Sequence, residues 1–350
     1  MSKEIPVAVL GATGSVGQRF VQLLAGHPWF KVVAVTGSER RVGKKFSETC
    51  HWILSEPMPE YARDFKVLPT DPAGLDAHLV FSALPSGVAK ELEPNFAKAG
   101  ISVCTNAGAY RREADVPVLL PEVNADHIDL VPVQRRKRGW SGCIVTNPNC
   151  TSTGTTIALK ALMDRFGLEK VFGVSLQAIS GAGYPGVASM DILDNVIPHI
   201  AGEEPKLEWE PRKMLGSLVN EEIQLADVTF STHCNRVAVS DGHLVCLTVE
   251  LGKKASVEEA IAALRDYQAP ARSGSLPSTP KPVIVVSDDP GRPQPRLDRM
   301  TGAGMTTVVG RVREDTLFDL RMTVLSHNTI RGAAGGSIYN AELLVNEGLL

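Results

Sequence analysis

The chain has 350 residues, 43% hydrophobic and 21% charged, which is enough for two domains and the profile of a globular protein with an ample core. A formal net charge of −3 points to neither nucleic acid nor an anionic membrane as partner. The longest apolar runs are strand-length, short of the roughly 20 residues a membrane span needs, and the start Met-Ser-Lys-Glu-Ile-Pro has no apolar signal region, so a cytoplasmic protein is expected.

Residues 5–10 read as a short apolar strand, followed by GATGSVGQRFVQLL. Gly11, Gly14 and Gly17 have the spacing of a dinucleotide turn. Such a turn, with Thr13, Ser15 and Val16 between its glycines, offers backbone N–H groups to a pyrophosphate at a helix N-terminus. The required context is present: a strand before, and helical spacing after, ended by Gly26-His27-Pro28. A second strand, KVVAVTGS, follows at βαβ distance. Its end normally selects the cofactor. Thr36 and Ser38 stand where an acid would bond the ribose of NAD, and Arg40, Arg41, Lys44 and Lys45 are close by. Glu39 lies beyond the turn, so NADP is expected.

Strand–helix alternation continues through AHLVFSALPSG, VAKELEPNFAKAG and ISVCTNAGAY, the pattern of a doubly wound, mostly parallel sheet. Ligand-facing residues belong at the carboxyl ends of such strands. That selects Ser82 through Ser86, together with Asn106.

The next strand, IVT, runs into Asn147-Pro148-Asn149-Cys150 and then a long helix. Six cysteines are present, with no CxxC pair and no zinc-like Cys/His spacing. Cys143 and Cys246 lie inside apolar strands and read as core. Cys150 stands at a helix mouth, where free N–H groups and the dipole favour an anion. Its pKa is therefore expected to be depressed, which makes it the candidate nucleophile. The same N–H groups can hold an oxyanion. A dinucleotide domain followed by such a thiol suggests thioester chemistry coupled to hydride transfer.

Further on, two strand-like runs flank the turn Ser240-Asp241-Gly242. The turn can bring Arg236 and His243 to one site, Arg236 as a carboxylate clamp and His243 as acid or base. An exposed ion-pair partner and an ordinary hairpin histidine are the alternative reading. The tail shows an amphipathic helix (ASVEEAIAALRDYQ), Pro-rich loops, a hairpin (TTVVGRVRED with LFDLRMTVLSHN) and a last helix with small residues early in it. Those small residues suggest close approach to a strand or cofactor.

The motifs GATGSVGQ, TNPNCTSTG, LQAISGAGYPGVASMDILDNVIPHI, EWEPRKMLG, NRVAVSDGH and NTIRGAAGGSIYNAELL, in that order, resemble the aspartate-semialdehyde dehydrogenase family in its archaeal and fungal-type branch. The resemblance implies an α/β chain with an N-terminal Rossmann NADP-binding domain (1–149, completed by the helix 329–350). The rest (150–328) is a C-terminal α+β catalytic and dimerisation domain, on the plan of glyceraldehyde-3-phosphate dehydrogenase. It implies Cys150 as nucleophile, His243 as acid/base and Gln177 as substrate-positioning residue. Asn149 and Arg236 then contact substrate, with Arg236 on the α-carboxylate. Glu210 and Lys213 are read as the pair for the substrate amine and phosphate. Arg111 resembles the phosphate-binding arginine, with the neighbouring Arg112 leaving the register open. Ser180, Gly181 and Asn328 resemble contacts to the nicotinamide half of NADP. Implied, too, are NADP-dependent interconversion of aspartyl phosphate and aspartate semialdehyde, and a homodimer or homotetramer. A malonyl-CoA reductase and an N-acetyl-glutamyl-phosphate reductase are the alternatives.

Overall fold

The computed structural model describes residues 4–350. Its first half builds β1 (Ile5–Leu10), β2 (Phe30–Thr36), β3 (Val67–Leu68), β4 (Leu79–Ser82), β5 (Ser102–Thr105) and β6 (Ile144–Thr146). These form one sheet in the order β3-β2-β1-β4-β5-β6, with every pairing parallel. A parallel sheet with helices on both faces has no wet side, so its strands are apolar throughout rather than alternating. Val7, Ala8, Val9 and Leu10 accordingly have no exposure. The helix Ser86–Lys98 covers one face through Phe96 and Ala97. The helices Ser15–Leu23 and Gly335–Asn346 cover the other, where Tyr339, Leu343 and Leu344 share a core with Val7, Val9 and Phe81.

The second sheet is mixed. It contains β7 (Lys170–Gln177), β10 (Thr229–Arg236), β11 (His243–Glu250), β12 (Ile284–Ser287), β13 (Thr307–Glu314) and β14 (Leu320–Ser326), in the order β10-β7-β11-β14-β13-β12. The small hairpin of β8 (Ser217–Val219) and β9 (Glu222–Gln224) stands apart. β13 and β14 pair antiparallel as the sequence suggests. β10 and β11 do not form a hairpin: both flank β7, parallel on one side and antiparallel on the other. The chain therefore hops over a strand between Arg236 and His243, which lets both side chains meet the end of β7.

Helices cover one face of this sheet only, with Leu159, Leu162, Met214 and Leu264 packing against Val245, Leu247 and Val324. Strand alternation then sends every second residue to the bare face. Cys246 is one of them. It is exposed, so the expectation of a core cysteine fails there, because an apolar strand on a one-sided sheet still presents half its residues outward. Cys143 is fully buried as expected. No helix among the described residues is long and apolar enough to cross a membrane.

A buried ion pair ties the segment Ile330–Ala334, which leads into the last helix, to the helix Pro121–Asn124. Arg331 Nε donates to Glu122 Oε1 at 2.7 Å and Arg331 Nη2 to Glu122 Oε2, with neither side chain exposed. Removing one partner strands a charge in the interior, at a cost of about 3–5 kcal/mol. Glu122→Gln should therefore lower the unfolding free energy, and with it the urea midpoint, with a free-energy loss of that size. A midpoint within the error of wild type would show that the pair carries no such load.

Candidate active site

The helix Cys150–Phe166 begins where β6 ends. Asn149 caps it, its side chain accepting from Thr151 N at 2.9 Å and Ser152 N at 3.2 Å, which satisfies two of the free amides of the first turn. The cap is itself held by two carboxylates. Glu210 Oε2 accepts from Asn149 N at 2.6 Å, and Glu203 Oε1 accepts from Asn149 Nδ2 at 2.5 Å. The small residues of the last helical segment approach this same point. A Cβ on Gly332 would lie 2.8 Å from Cys150 Cβ, and one on Gly336 would lie 2.6 Å from Asn147 Oδ1. The close approach expected of that segment is thus to the cysteine turn.

Cys150 Sγ lies 3.2 Å from His243 Nε2. On the other edge of the ring, Ala178 N donates to His243 Nδ1 at 3.0 Å. A ring nitrogen that accepts carries no proton, so neutral His243 bears its proton on Nε2, facing the sulfur. Burial, and then the charges of Arg236 and His327, push His243 down to about 3. It is therefore a neutral hydrogen-bond donor across the physiological range. Arg236 Nη1 donates to Ala178 O at 2.8 Å. Gly181 closes this wall: a Cβ there would fall 2.8 Å from Arg236 Nη1 and 3.1 Å from His243 Nε2. Gln177, buried at the end of β7, donates to Ser175 Oγ at 3.2 Å and pairs in register with Arg236.

The thiol departs from expectation. Burial, and then the charge of Glu203, push Cys150 up to about 12, against the downward pull of Arg111 and Arg236. Loss of water around the sulfur outweighs the helix mouth and both guanidiniums. The resting group is a thiol.

Arg111 rather than Arg112 points inward. Its Nε donates to Asn147 O, Nη1 to Glu210 Oε1 and Nη2 to Asn106 O, at 2.9, 2.9 and 2.8 Å. Arg112 is exposed and lies over the Trp209 ring. The placement of Glu210 and Lys213 differs from the expectation. Both oxygens of Glu210 are engaged, by Arg111 and Asn149. Lys213 Nζ donates to the carbonyls of Arg111, Glu113 and Val116 at 2.9, 2.8 and 2.8 Å. Its three protons are used, and burial brings it down to about 8, so no donor remains for a phosphate. The acid whose charge bears on both Cys150 and Arg236 is Glu203, joined at 3.1 Å by the half-exposed Lys206. Sequence reading passed over this pair. The signal was there in Gly202-Glu203-Glu204-Pro205-Lys206, an acid–base pair three apart where a helix starts.

Across the cleft, the glycine turn fits a dinucleotide. Gly11 has φ +69°, a backbone only glycine adopts easily. A Cβ on Gly17 would sit 2.3 Å from Gly11 O, so the helix Ser15–Leu23 rests directly on the turn. Gly14 caps that helix without a side-chain bond, which leaves the amides at Ser15 and Val16 for a pyrophosphate. Asn106 Nδ2 is buried with no protein partner, a donor suited to the same ligand. Asn328 bridges Ser180 Oγ at 2.8 Å and Gly242 N at 2.8 Å. A cavity of about 460 Å³, lined by Ser15, Ile179, Ser180, Ser240 and Thr329, joins the turn to this wall.

Some cofactor-side residues lie differently from the sequence reading. Thr36 is fully buried and bonds Thr70 Oγ1 at 2.9 Å, because β2 extends through it, so it does not reach a ribose. Ser38 and Arg40 are exposed. The guanidinium held at the turn is that of Arg41, which donates to Thr13 Oγ1. Ser82 is buried at the end of β4, and Ser86 Oγ accepts from Gly108 N at 3.2 Å.

Residues 6–131 match the family profile described as semialdehyde dehydrogenase, NAD binding domain, and residues 159–331 match its dimerisation domain. The chain is 53% identical over 98% of its length, and 99% of the relative's, to the aspartate-semialdehyde dehydrogenase of Archaeoglobus fulgidus. It is 45% identical, over 98% of its length and 99% of the relative's, to that of Schizosaccharomyces pombe. The solved aspartate-semialdehyde dehydrogenase with NADP from Candida albicans superposes with a TM-score of 0.91 at 43% identity, covering 99% of this chain and 100% of that one. With a thiol–histidine pair at a capped helix mouth facing a dinucleotide turn, this chain belongs to the aspartate-semialdehyde dehydrogenase family.

Proposed function

We propose that this chain interconverts L-aspartyl-4-phosphate and L-aspartate 4-semialdehyde with NADP, an oxidoreductase step whose product feeds lysine, threonine and methionine synthesis. The observation that carries the reading is the Cys150–His243 contact at 3.2 Å, set between two buried arginines. In the biosynthetic direction Cys150 Sγ attacks the acyl carbon, the carbon–phosphate oxygen bond breaks, the thiol proton leaves with the departing phosphate, and a thioester remains on the enzyme. Bound NADPH supplies the hydride that this thioester needs for reduction. The sulfur–carbon bond then breaks and the aldehyde leaves.

The chain's own groups serve this sequence. The Nε2–H of His243 points at the place where the carbonyl oxygen becomes an oxyanion, and a donor already aimed there needs no reorganisation. This recasts the acid role as hydrogen-bond donation, because Nδ1 is occupied. Asn149 takes the amides of Thr151, Ser152 and Thr153, which leaves the Cys150 amide at the helix mouth to share that task. Arg236 suits the α-carboxylate, since a guanidinium pairs with it bidentately. Arg111 contributes positive charge where phosphate departs. Gln177 and Asn149 hold the remaining walls of the pocket.

In this reading residues 1–149 with 329–350 make the cofactor-binding unit, and 150–328 the catalytic and dimerisation unit. The bare face of the second sheet, with Phe172 at 36% exposure and Leu317 of the adjoining β13–β14 turn at 86%, supports burial against a second copy in a homodimer or homotetramer. A cytoplasmic setting suits its free cysteines.

A malonyl-CoA substrate also has a carboxylate for Arg236 but no amine, and neither it nor N-acetyl-glutamyl phosphate presents an ammonium. Glu203 Oε1 is held by Asn149, but its Oε2 is held only by the half-exposed Lys206, whose place an ammonium can take, which favours the aspartyl substrate. Glu203→Gln should raise KM for aspartate semialdehyde roughly 10-fold or more, the loss of a charge-assisted bond worth about 1.5–3 kcal/mol. An unchanged KM would remove Glu203 from the substrate site.

Cys150→Ser should lower turnover by several orders of magnitude, since a hydroxyl is a far weaker nucleophile than a thiol and an alkoxide is a poorer leaving group when the aldehyde is released. In the free wild-type enzyme, alkylation of Cys150 should be slow at pH 7 and rise steeply toward alkaline pH, because the thiol is pushed up to about 12. Near-normal turnover by the serine variant would end the covalent scheme. Alkylation that is already pH-independent at neutrality would contradict the protonated resting state.

A further inference from the structure

The cofactor turns at the ends of β4 and β5 stand on a buried acid that the catalytic scheme does not use. Glu93, on the helix Ser86–Lys98, has no exposure. Thr105 Oγ1 donates to its Oε1 at 2.5 Å, and the same hydroxyl accepts from Ala107 N at 3.0 Å. Ser82 Oγ faces the same carboxyl, outside hydrogen-bonding geometry, and it and Glu93 Oε2 are left without partners. Ser82 and Thr105 are the last residues of β4 and β5. One carboxyl thus lies beneath the origins of both turns.

What those turns hold matters for ligand binding. Asn106, between Thr105 and Ala107, gives its carbonyl to Arg111 Nη2 at 2.8 Å and keeps its buried Nδ2 unpartnered. Gly108 N donates to Ser86 Oγ at 3.2 Å, joining the two turns. We infer that Glu93 is a positioning residue for the cofactor side of the site, acting through Thr105 on the Asn106–Arg111 turn.

The acid is also poised to respond to pH. Burial, opposed by Thr105 and Ser82, pushes Glu93 up to about 7. Few charges surround it. Tyr110 faces it from the following turn, with its hydroxyl committed to Lys90 O. Cys104 belongs to the opposite face of β5. β4 and β6 carry no titratable side chains, and Lys90, Glu91 and Lys98 on its own helix are exposed. Arg138 lies beyond the Tyr110 ring and Arg111 is paired with Glu210, so ionisation adds a negative charge beneath the turns that the NADP reading sets against a phosphate-bearing ligand. Affinity for NADPH falls as pH rises through neutrality.

The inference rests on the NADP reading of the cleft, and the test separates the two. NADPH binding is measured by fluorescence from about pH 6 to 8.5 on wild type and Glu93→Gln. If the bound cofactor raises the Glu93 pKa by half a unit, wild type loses roughly threefold in affinity across the range. Glu93→Gln keeps the acid-side affinity throughout. The variant cancels the cofactor's own phosphate ionisation from the comparison. Parallel curves for the two proteins overturn the inference. Should the variant fail to fold, the ¹³C shift of the wild-type Glu93 carboxyl decides: a titration midpoint moved up by NADPH supports the role, an unmoved one refutes it. Absence of NADPH binding by wild type sinks the cofactor reading itself.

Discussion

Two buried carboxylates converge on Asn149, and the geometry of the site depends on that convergence. Glu210 takes its amide and Glu203 its side-chain nitrogen, and Asn149 in turn caps the helix that presents Cys150. Each carboxylate ties the cap to a cation on another element, Arg111 or Lys206. The cofactor-side turn, the nucleophile and the helix Glu204–Met214 are thereby fixed to one another. A buried carboxylate is tolerable only with such partners. Loosening any one would leave a charge unpaired beside the sulfur.

The same burial sets the resting chemistry. His243 is buried and Cys150 half-buried among protein groups, which favours a protonated thiol and a neutral imidazole. A helix mouth lowers a thiol pKa when the sulfur is partly solvated. Here it is outweighed by loss of hydration and the charge of Glu203. Reactivity therefore belongs to the complex with substrate, whose own charges alter the balance among Glu203, Arg111 and Arg236. The Ala178 amide adds a second constraint by fixing which nitrogen of His243 carries the proton.

Much of the first sheet was legible because its code is local. A glycine turn between an apolar strand and a helix has few other meanings, and parallel strands read as unbroken apolar runs. Cys150 was legible for the same reason, through Asn147-Pro148-Asn149 and a run of hydroxyl residues. What escaped depends on partners distant in sequence. The spacing of Arg236 and His243 suggests a hairpin, yet β7 lies between their strands. Thr36 looks like a ribose contact until the strand is seen to bury it. Glu210 and Lys213 have the right chemistry but spend it on Asn149 and on carbonyls near Arg111, whereas Glu203 shows its place only once the chain is folded around Arg236. The exposure of Cys246 follows from a sheet covered on one side, which no window of sequence reveals.

The chemistry turns on acyl transfer through Cys150 to phosphate. NADPH formation from aspartate semialdehyde by the wild-type enzyme, with and without inorganic phosphate, tests it directly. Turnover should be sustained with phosphate, and without it should stop at no more than about one NADPH per active site, because the thioester then has no acceptor. Sustained turnover without phosphate, or faster oxidation and reduction of malonyl substrates than of the aspartyl pair, would contradict it.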